Sequence, residues 1–370
     1  MYFRLWRRSF SSYKVSLPGV AVHQLDPSVV PTTSTVTGEE LVKYFTEMAT
    51  IRRIEITADQ YYKNKFIRGF CHLCDGQEAI SVGMEAGLTW EDPLISAYRI
   101  HGQAYMRGIT PREIFAEMYG KATGSSKGKG GSMHFYSAKN HFYGGNGIVG
   151  AQIPVGAGLA FALKYKQQPN AAFTLFGDGA ANQGQLYEAL NMARLWQLPA
   201  VFVCENNLFG MGTSVTRASG NPELYTRGDN VPGIRVEAQD VLMVKEIVKF
   251  AKEWVQTHGP LMLEFRTYRY RGHSMSDPGL SSRDRTEVQD VRDNNDPISK
   301  CRQLIEELGA ATAAQLKAIE KKIKKEIETA AAEALNDPSP EKTELFTNIY
   351  TPETKIYGRN TEFQNSLHKY

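Results

Sequence analysis

The residues best placed to do chemistry lie in one stretch, Phe176-Gly177-Asp178-Gly179-Ala180-Ala181-Asn182-Gln183-Gly184. Asp178 is a carboxylate between two glycines, which permit a tight turn and a close approach of backbone to a ligand. After Gly179 come twenty-six residues and then Asn206-Asn207, where an amide oxygen is on offer. A carboxylate, an amide oxygen and the oxygens of a phosphate group are the hard ligands that Mg²⁺ prefers. Asp178 at a turn that favours anions makes sense if a cation lies between the carboxylate and the anion.

Each half of this pattern follows an apolar run. Ala171 to Leu175 precedes the first half and Ala200 to Cys204 the second, and both read as buried strands. Between them Leu186, Leu190 and Ala193 recur at helical spacing up to Trp196, and Pro199 stops the pattern. Strand, helix, strand predicts neighbouring parallel strands with Asp178 and Asn207 at one edge, where open parallel sheets bind ligands. A Gly-Asp-Gly taken alone is usually just a turn, and a Rossmann turn would spell Gly-x-Gly-x-x-Gly, which this one does not.

Further candidates stand at other predicted element ends. Leu94 to Ala97 reads as a short strand ending at Tyr98 and Arg99. The planar fork of arginine suits a diphosphate, although a surface salt bridge is the commoner use. Pro260 to Phe265 reads as a third parallel strand, leading to Tyr268-Arg269-Tyr270-Arg271-Gly272-His273-Ser274. His273 is an imidazole suited to catalysis or phosphate contact. Residues 271 to 296 are charged and lack a clear period, so they read as an unstructured functional loop. His72 stands in a polar, glycine-containing loop before a helix, where a structural role and a site role are both open. The glycine-dense residues 120 to 150 read as an ordered active-site loop rather than a linker or a Walker loop. Cys71-His72-Leu73-Cys74 is a lone Cys-x-x-Cys, poor as a zinc site and open to a minor redox reading.

The remaining segments frame these. Met1 to about Ser12 carries Arg4, Arg7 and Arg8 with no acid before Asp26, the composition of a mitochondrial transit peptide or of a disordered basic tail. Residues 1–37 are expected to be transit peptide and extended arm, 38–340 one domain and 341–370 a tail. A helix is predicted from Gly38 through Ile54, others over Gly150 to Ala162 and Val241 to Trp254, and one marked by Leu316, Ile319, Ile323 and Ile327. The net charge of +3 leaves no nucleic-acid footprint, and no run of 18 apolar residues could span a membrane. Four cysteines are too few for a disulfide framework and fit a reducing compartment.

From about residue 40 to 340 the chain resembles the alpha subunits of the thiamine-diphosphate-dependent 2-oxo acid dehydrogenases, those acting on pyruvate above all. The resemblance rests on Arg68 to Glu78, Lys127 to His134, Tyr143 to Gln152, Gly177 to Gly184, Asn206 to Ser214 and Tyr268 to Gly279. It implies an α/β three-layer thiamine-diphosphate-binding fold, with a largely parallel sheet flanked by helices, in an α₂β₂ heterotetramer of the mitochondrial matrix. By resemblance, Tyr98, Arg99, Gly179, Ala180 and His273 would contact the diphosphate, and backbone at Gly147 and Val149 the aminopyrimidine. Asp178, Asn207 and the carbonyl of Phe209 would bind Mg²⁺, and His72 would face the substrate. Ser274, Ser281 and Ser214 would match kinase target positions, so a regulatory kinase and phosphatase join the implied partners. A beta subunit would supply the acid for the pyrimidine nitrogen, and a lipoyl-bearing acetyltransferase would take the acetyl group. The loop Ser274-Met275-Ser276-Asp277-Pro278-Gly279 favours pyruvate over branched-chain acids or acetoin; a non-catalytic paralogue remains the third reading. The chain departs from the family at Phe209 and Cys74, where tyrosine is usual, at Gln103 for phenylalanine, at Arg271 and at Ser282. Arg271 would add charge beside Ser274.

Overall fold

In a computed structural model, residues 12–277 and 285–348 are described. The N-terminal leader and Ser281 lie outside them. In chain order the elements begin with strands β1 (Ser12–Ser16), β2 (Ala21–His23) and β3 (Thr33–Thr37), helices α1 (Gly38–Lys63) and α2 (Glu78–Gly87), and strand β4 (Leu94–Ala97). Helices α3 (His101–Met106) and α4 (Pro111–Met118), strand β5 (Phe142–Asn146), helix α5 (Gln152–Tyr165) and strand β6 (Ala172–Gly177) follow. Next come α6 (Gly184–Leu195), β7 (Ala200–Asn206), α7 (Val215–Ala218), β8 (Gly233–Glu237), α8 (Val241–His258) and β9 (Leu261–Arg266). Helices α9 (Arg285–Asn295), α10 (Pro297–Glu307) and α11 (Ala313–Leu335) complete the set.

Seven strands form the main sheet in the order β2-β8-β9-β7-β6-β4-β5. Every pair is parallel except the edge pair β2–β8. Alternate side chains along the central strands enter different cores, as the two-residue period of a strand requires. Phe173, Leu175, Val201, Val203 and Leu263 pack with Val244 and Ile247 of α8, while Ala172, Phe176 and Phe202 pack with Ile153 of α5 and Leu186 of α6. Helices on both faces of a mostly parallel sheet make three layers, as expected. Among the described residues no helix is long and apolar enough to cross a membrane.

Local chemistry starts the helices where the sequence places them. Thr37 Oγ1 accepts from Glu40 N at 3.1 Å and Glu40 returns a carboxylate to Thr37 N at 2.7 Å, closing a capping box on α1. Asp240 accepts from Leu242 N at 2.8 Å at the head of α8. Close packing explains the small residues of α5: a Cβ on Gly156 would stand 1.7 Å from Thr174 Oγ1 of β6.

Several expectations need correction. Residues 271–296 are not structureless, since α9 occupies Arg285–Asn295. Tyr268 donates to Glu287 at 2.8 Å and Arg292 covers the ring of Tyr270 at 4.8 Å, so polar and aromatic contacts replace the missing apolar period. The glycine-dense stretch contains a strand, β5, beside β4. Glycine serves it sterically, because a Cβ on Gly144, at φ +78°, would meet Phe135 O at 2.3 Å. Strand β8 carries no sequence signal strong enough to predict it. The arm before α1 is partly built into the sheet through β2, and β1 pairs with β3. After α11 the chain docks back: Glu344 meets Lys127 and Lys129 of the glycine-rich loop at 3.1 and 3.3 Å.

Candidate active site

The carboxyl ends of β4, β6, β7 and β9 converge on a cleft of about 340 Å³. Strands β6 and β7 lie side by side with Gly177 opposite Glu205, so Asp178 and Asn207 emerge from neighbouring strand tips. Tyr98, Arg99, Val149, Asp178, Gly179, Ala180, Asn207, Phe209 and His273 all line this cleft. Gly147 lies just beyond it, with Met133 and the ring of His134 as its nearest neighbours. The turn after Asp178 differs in detail from expectation. A short 3-10 turn, Ala180–Asn182, separates it from α6, so the amides nearest Asp178 are not those of the long helix.

The carboxylate is 5 % exposed, and burial pushes its pKa up to about 6, although Arg269 and Arg99 pull the other way. A buried carboxylate held against its own desolvation is suited to a cation. Asn207 is 7 % exposed; its Nδ2 donates to Gln77 Oε1 at 3.1 Å and its Oδ1 has no partner. An orphaned amide oxygen beside a carboxylate is half of a hard-cation site. The backbone between Asn207 and Phe209 is unusual: Leu208 holds φ +72°, a conformation costly for leucine. It is fixed at both ends, by Leu208 N donating to Asn206 Oδ1 at 2.9 Å and Val215 N donating to Leu208 O at 3.0 Å.

The cleft lining is also cationic. Arg99 is buried, not a surface ion pair; its guanidinium donates to Leu73 O and, at 2.9 Å, to His273 O. Arg269 lies within 3.3 Å of His273 Nδ1. Burial, then Arg99 and Arg269, depress the His273 pKa to about 4, so its ring is neutral at physiological pH. Since Nδ1 faces a guanidinium donor, the ring proton resides on Nε2, 3.3 Å from Tyr98 Oη. Arginines and an N–H-presenting imidazole in one cleft with a carboxylate and an amide oxygen can hold a diphosphate with a divalent cation.

His72 does not line the cleft. It is buried, its ring 4.3 Å from that of Tyr98 and 5.4 Å from that of His273. Burial first and Arg99 next drive its pKa down to about 2, which makes it a neutral ring under Tyr98. The segment around it, read as a polar loop, is buried from Cys71 through Met84. Cys71 and Cys74 are free and buried; burial pushes the Cys71 pKa up to about 12 and that of Cys74 well above its usual range. Neutral buried thiols are inert, which disfavours the redox reading.

Ser274 is buried next to His273, its Oγ 2.9 Å from Ser276 Oγ. Ser214 occupies the N-cap position of α7 without a side-chain cap bond and bridges back to Phe209. Arg271 does not add free charge beside Ser274. It pairs with Asp75 at 2.7 Å and Asp59 at 2.9 Å, which fastens the His273 segment onto the His72 segment.

Gln77, Glu205 and Arg269 line the cleft and were not singled out from sequence. Glu205 is buried, its pKa pushed up to about 7 by that burial, and accepts from Gln103 Nε2 at 3.3 Å. Glu205 directly precedes Asn206-Asn207 and Gln77 sits between Gly76 and Glu78, so proximity to motif residues was the available signal.

Residues 46–343 match the family profile described as dehydrogenase E1 component. The chain is 56% identical over 316 residues to pyruvate dehydrogenase E1 component subunit alpha-1, mitochondrial, of Oryza sativa, covering 85% of this chain and 81% of that one. It is 52% identical over 342 residues to the somatic mitochondrial alpha subunit of Homo sapiens, covering 92% and 87% of the two chains. The mitochondrial alpha subunit of Dictyostelium discoideum is 53% identical over 339 residues, covering 91% and 89%. With a profile spanning most of its length and relatives this similar across nearly the whole sequence, the chain belongs to the dehydrogenase E1 component family.

Proposed function

We propose that this chain is the alpha subunit of a mitochondrial pyruvate dehydrogenase, working in the matrix with a beta subunit as an α₂β₂ heterotetramer. The reading is supported by relatives of that name. The observation that carries it is the convergence in one cleft of Asp178 and the orphaned Asn207 Oδ1 with Arg99, Arg269 and His273. Asp178, Asn207 and the Phe209 carbonyl would hold Mg²⁺, and Gly179, Ala180, Tyr98, Arg99 and His273 would receive the diphosphate.

Thiamine diphosphate, when bound, supplies the carbanion chemistry that releases CO₂ from a 2-oxo acid. The chain's own work is to clamp one end of that cofactor. Asp178 would offset part of a bound divalent cation's charge and would gain a partner for its buried carboxylate. Neutral His273 offers an N–H without adding charge. His72 and Tyr98 meet its ring edge-on, with centroids 5.4 and 5.7 Å away. The exposed apolar side chains of Ile148 (72 %) and Met211 (63 %), beside the cleft residues Val149 and Gly210, suit burial under a partner chain that completes the site.

Ser274 and Ser214 are proposed targets of a regulatory kinase, with a phosphatase opposing it. Since Ser274 is buried, its segment must open before modification. The acetyl group would pass to a lipoyl-bearing acetyltransferase.

The test is co-expression with the beta partner and an assay across 2-oxo acids with Mg²⁺ and thiamine diphosphate. Pyruvate should be decarboxylated in preference to branched-chain acids, and the isolated chain should be inactive. Robust turnover by the isolated chain, or a preference for branched-chain acids, refutes the assignment.

A further inference from the structure

We propose that Gln77 is a positioning residue for the metal pole: it turns the Asn207 amide so that the oxygen, rather than the amino group, faces the cation. The inference rests on the reading of Asp178 and Asn207 as metal ligands.

An asparagine ligand has a difficulty that an aspartate lacks. Its amide has an acceptor end and a donor end of nearly equal size. Rotated by half a turn, Asn207 would present two N–H groups to a divalent cation. Something must choose the productive orientation. The Asn207 amide makes one side-chain hydrogen bond, Nδ2 to Gln77 Oε1 at 3.1 Å, and this bond leaves Oδ1 buried and unpartnered. The neighbouring amide, Asn206, is held by different groups: it donates to Glu264 at 2.7 Å and accepts from Leu208 N at 2.9 Å. The two adjacent asparagines are therefore fixed independently, one to hold the strained backbone at Leu208 and one to face the cleft.

Gln77 is itself well anchored. It is buried, lines the cleft and sits at the N-cap of α2, its own N–H donating to Cys74 O at 2.9 Å. The preceding Gly76, at φ +99°, is pressed against the chain leaving β9; a Cβ there would fall 2.4 Å from Tyr268 O. Gly76 N also donates to the Glu78 carboxylate at 3.1 Å, and Glu78 is paired with Arg52. The turn that carries Gln77 is thus locked to the sheet edge from which the metal ligands emerge. Groups behind a ligand that fix its orientation typically matter 10- to 100-fold in metal affinity.

The experiment is a double-mutant cycle on the assembled αβ protein, read by calorimetric titration of Mg²⁺ at saturating thiamine diphosphate, with thermal unfolding as the control for folding. Gln77→Met keeps the length of the side chain and removes the acceptor. It should weaken Mg²⁺ binding roughly 10- to 100-fold. In an Asn207→Asp background both ends of the side chain are oxygens, so orientation no longer matters and Gln77→Met should change the affinity less than about threefold. Gln77→Glu, an acceptor only, should bind Mg²⁺ at least as tightly as the unaltered protein, and it serves if the methionine variant fails to assemble. Unchanged Mg²⁺ affinity in Gln77→Met, or an equal loss in both backgrounds, overturns the proposal. If the unaltered protein binds thiamine diphosphate with no dependence on a divalent cation, the metal reading itself falls, and this inference falls with it.

Discussion

Replacing Asp178 with asparagine should stabilise the cofactor-free protein while removing the carboxylate of the proposed metal site. The carboxyl group is buried, and its pKa rises from the ordinary 3.8 to about 6. A rise of that size corresponds to roughly 3 kcal/mol of preference for the protonated form in the fold. The sign follows from linkage. Between pH 3.8 and 6 the folded state binds more protons than the unfolded state, so stability falls as pH rises through that window. Above pH 6 the full penalty is in force; below 3.8 there is none. Asparagine keeps the shape and cannot ionise, so at pH 7.5 the variant should gain about 1–3 kcal/mol, the lower figure allowing for relaxation around the charge. At about 2.1 cal/mol/K per residue, unfolding of a chain this long converts that gain to a Tm increase of roughly 1–4 °C. Scanning calorimetry of the cofactor-stripped αβ assembly at pH 7.5 and at pH 4.5 is the assay. The gain should shrink at the lower pH, and thiamine diphosphate with Mg²⁺ should raise the Tm of the unaltered protein only. A variant that melts below the unaltered protein at pH 7.5, or a gain that does not depend on pH, refutes the reasoning.

Three further outcomes are expected. Mg²⁺ affinity should fall about tenfold per pH unit below pH 6, as the Asp178 carboxyl protonates; calorimetric titration from pH 5 to 8 checks this, and a flat profile contradicts it. Arg271→Ala leaves the buried Asp75 carboxylate without its partner, at a cost of about 2–4 kcal/mol, and hydrogen exchange should speed up in both segments it joins, residues 70–77 and 268–277. Because burial already raises the Asp75 pKa, that loss should be largest at neutral pH and relieved in acid, where the group protonates. Ser274→Glu forces a charge into a buried position beside His273 and Asp277, so thiamine diphosphate affinity should drop at least tenfold by fluorescence titration, whereas Ser274→Ala should leave it near the unaltered value.

Sequence alone placed Asp178 and Asn207 at neighbouring strand tips. Asp178 and Asn207 follow apolar runs joined by a helical pattern, and a right-handed crossover between parallel strands leaves one arrangement for such tips. The three-layer class came from the family resemblance, and Tyr98, Arg99 and His273 were legible because each follows a strand and ligands gather at strand ends. Tertiary structure alone decided what depends on proximity across the chain. Gln77 stands 130 residues from Asn207, and no local pattern reveals the hydrogen bond between their side chains. Arg271 was legible as a charge, and only the fold disclosed that Asp59 and Asp75 absorb it. His72 was legible as a loop imidazole, and burial under Tyr98 settled its neutral state. The physical reason is common to these cases. Periodicity reports which face of an element is buried, but desolvation and hydrogen-bond orientation are set by neighbours that converge only when the sheet is assembled.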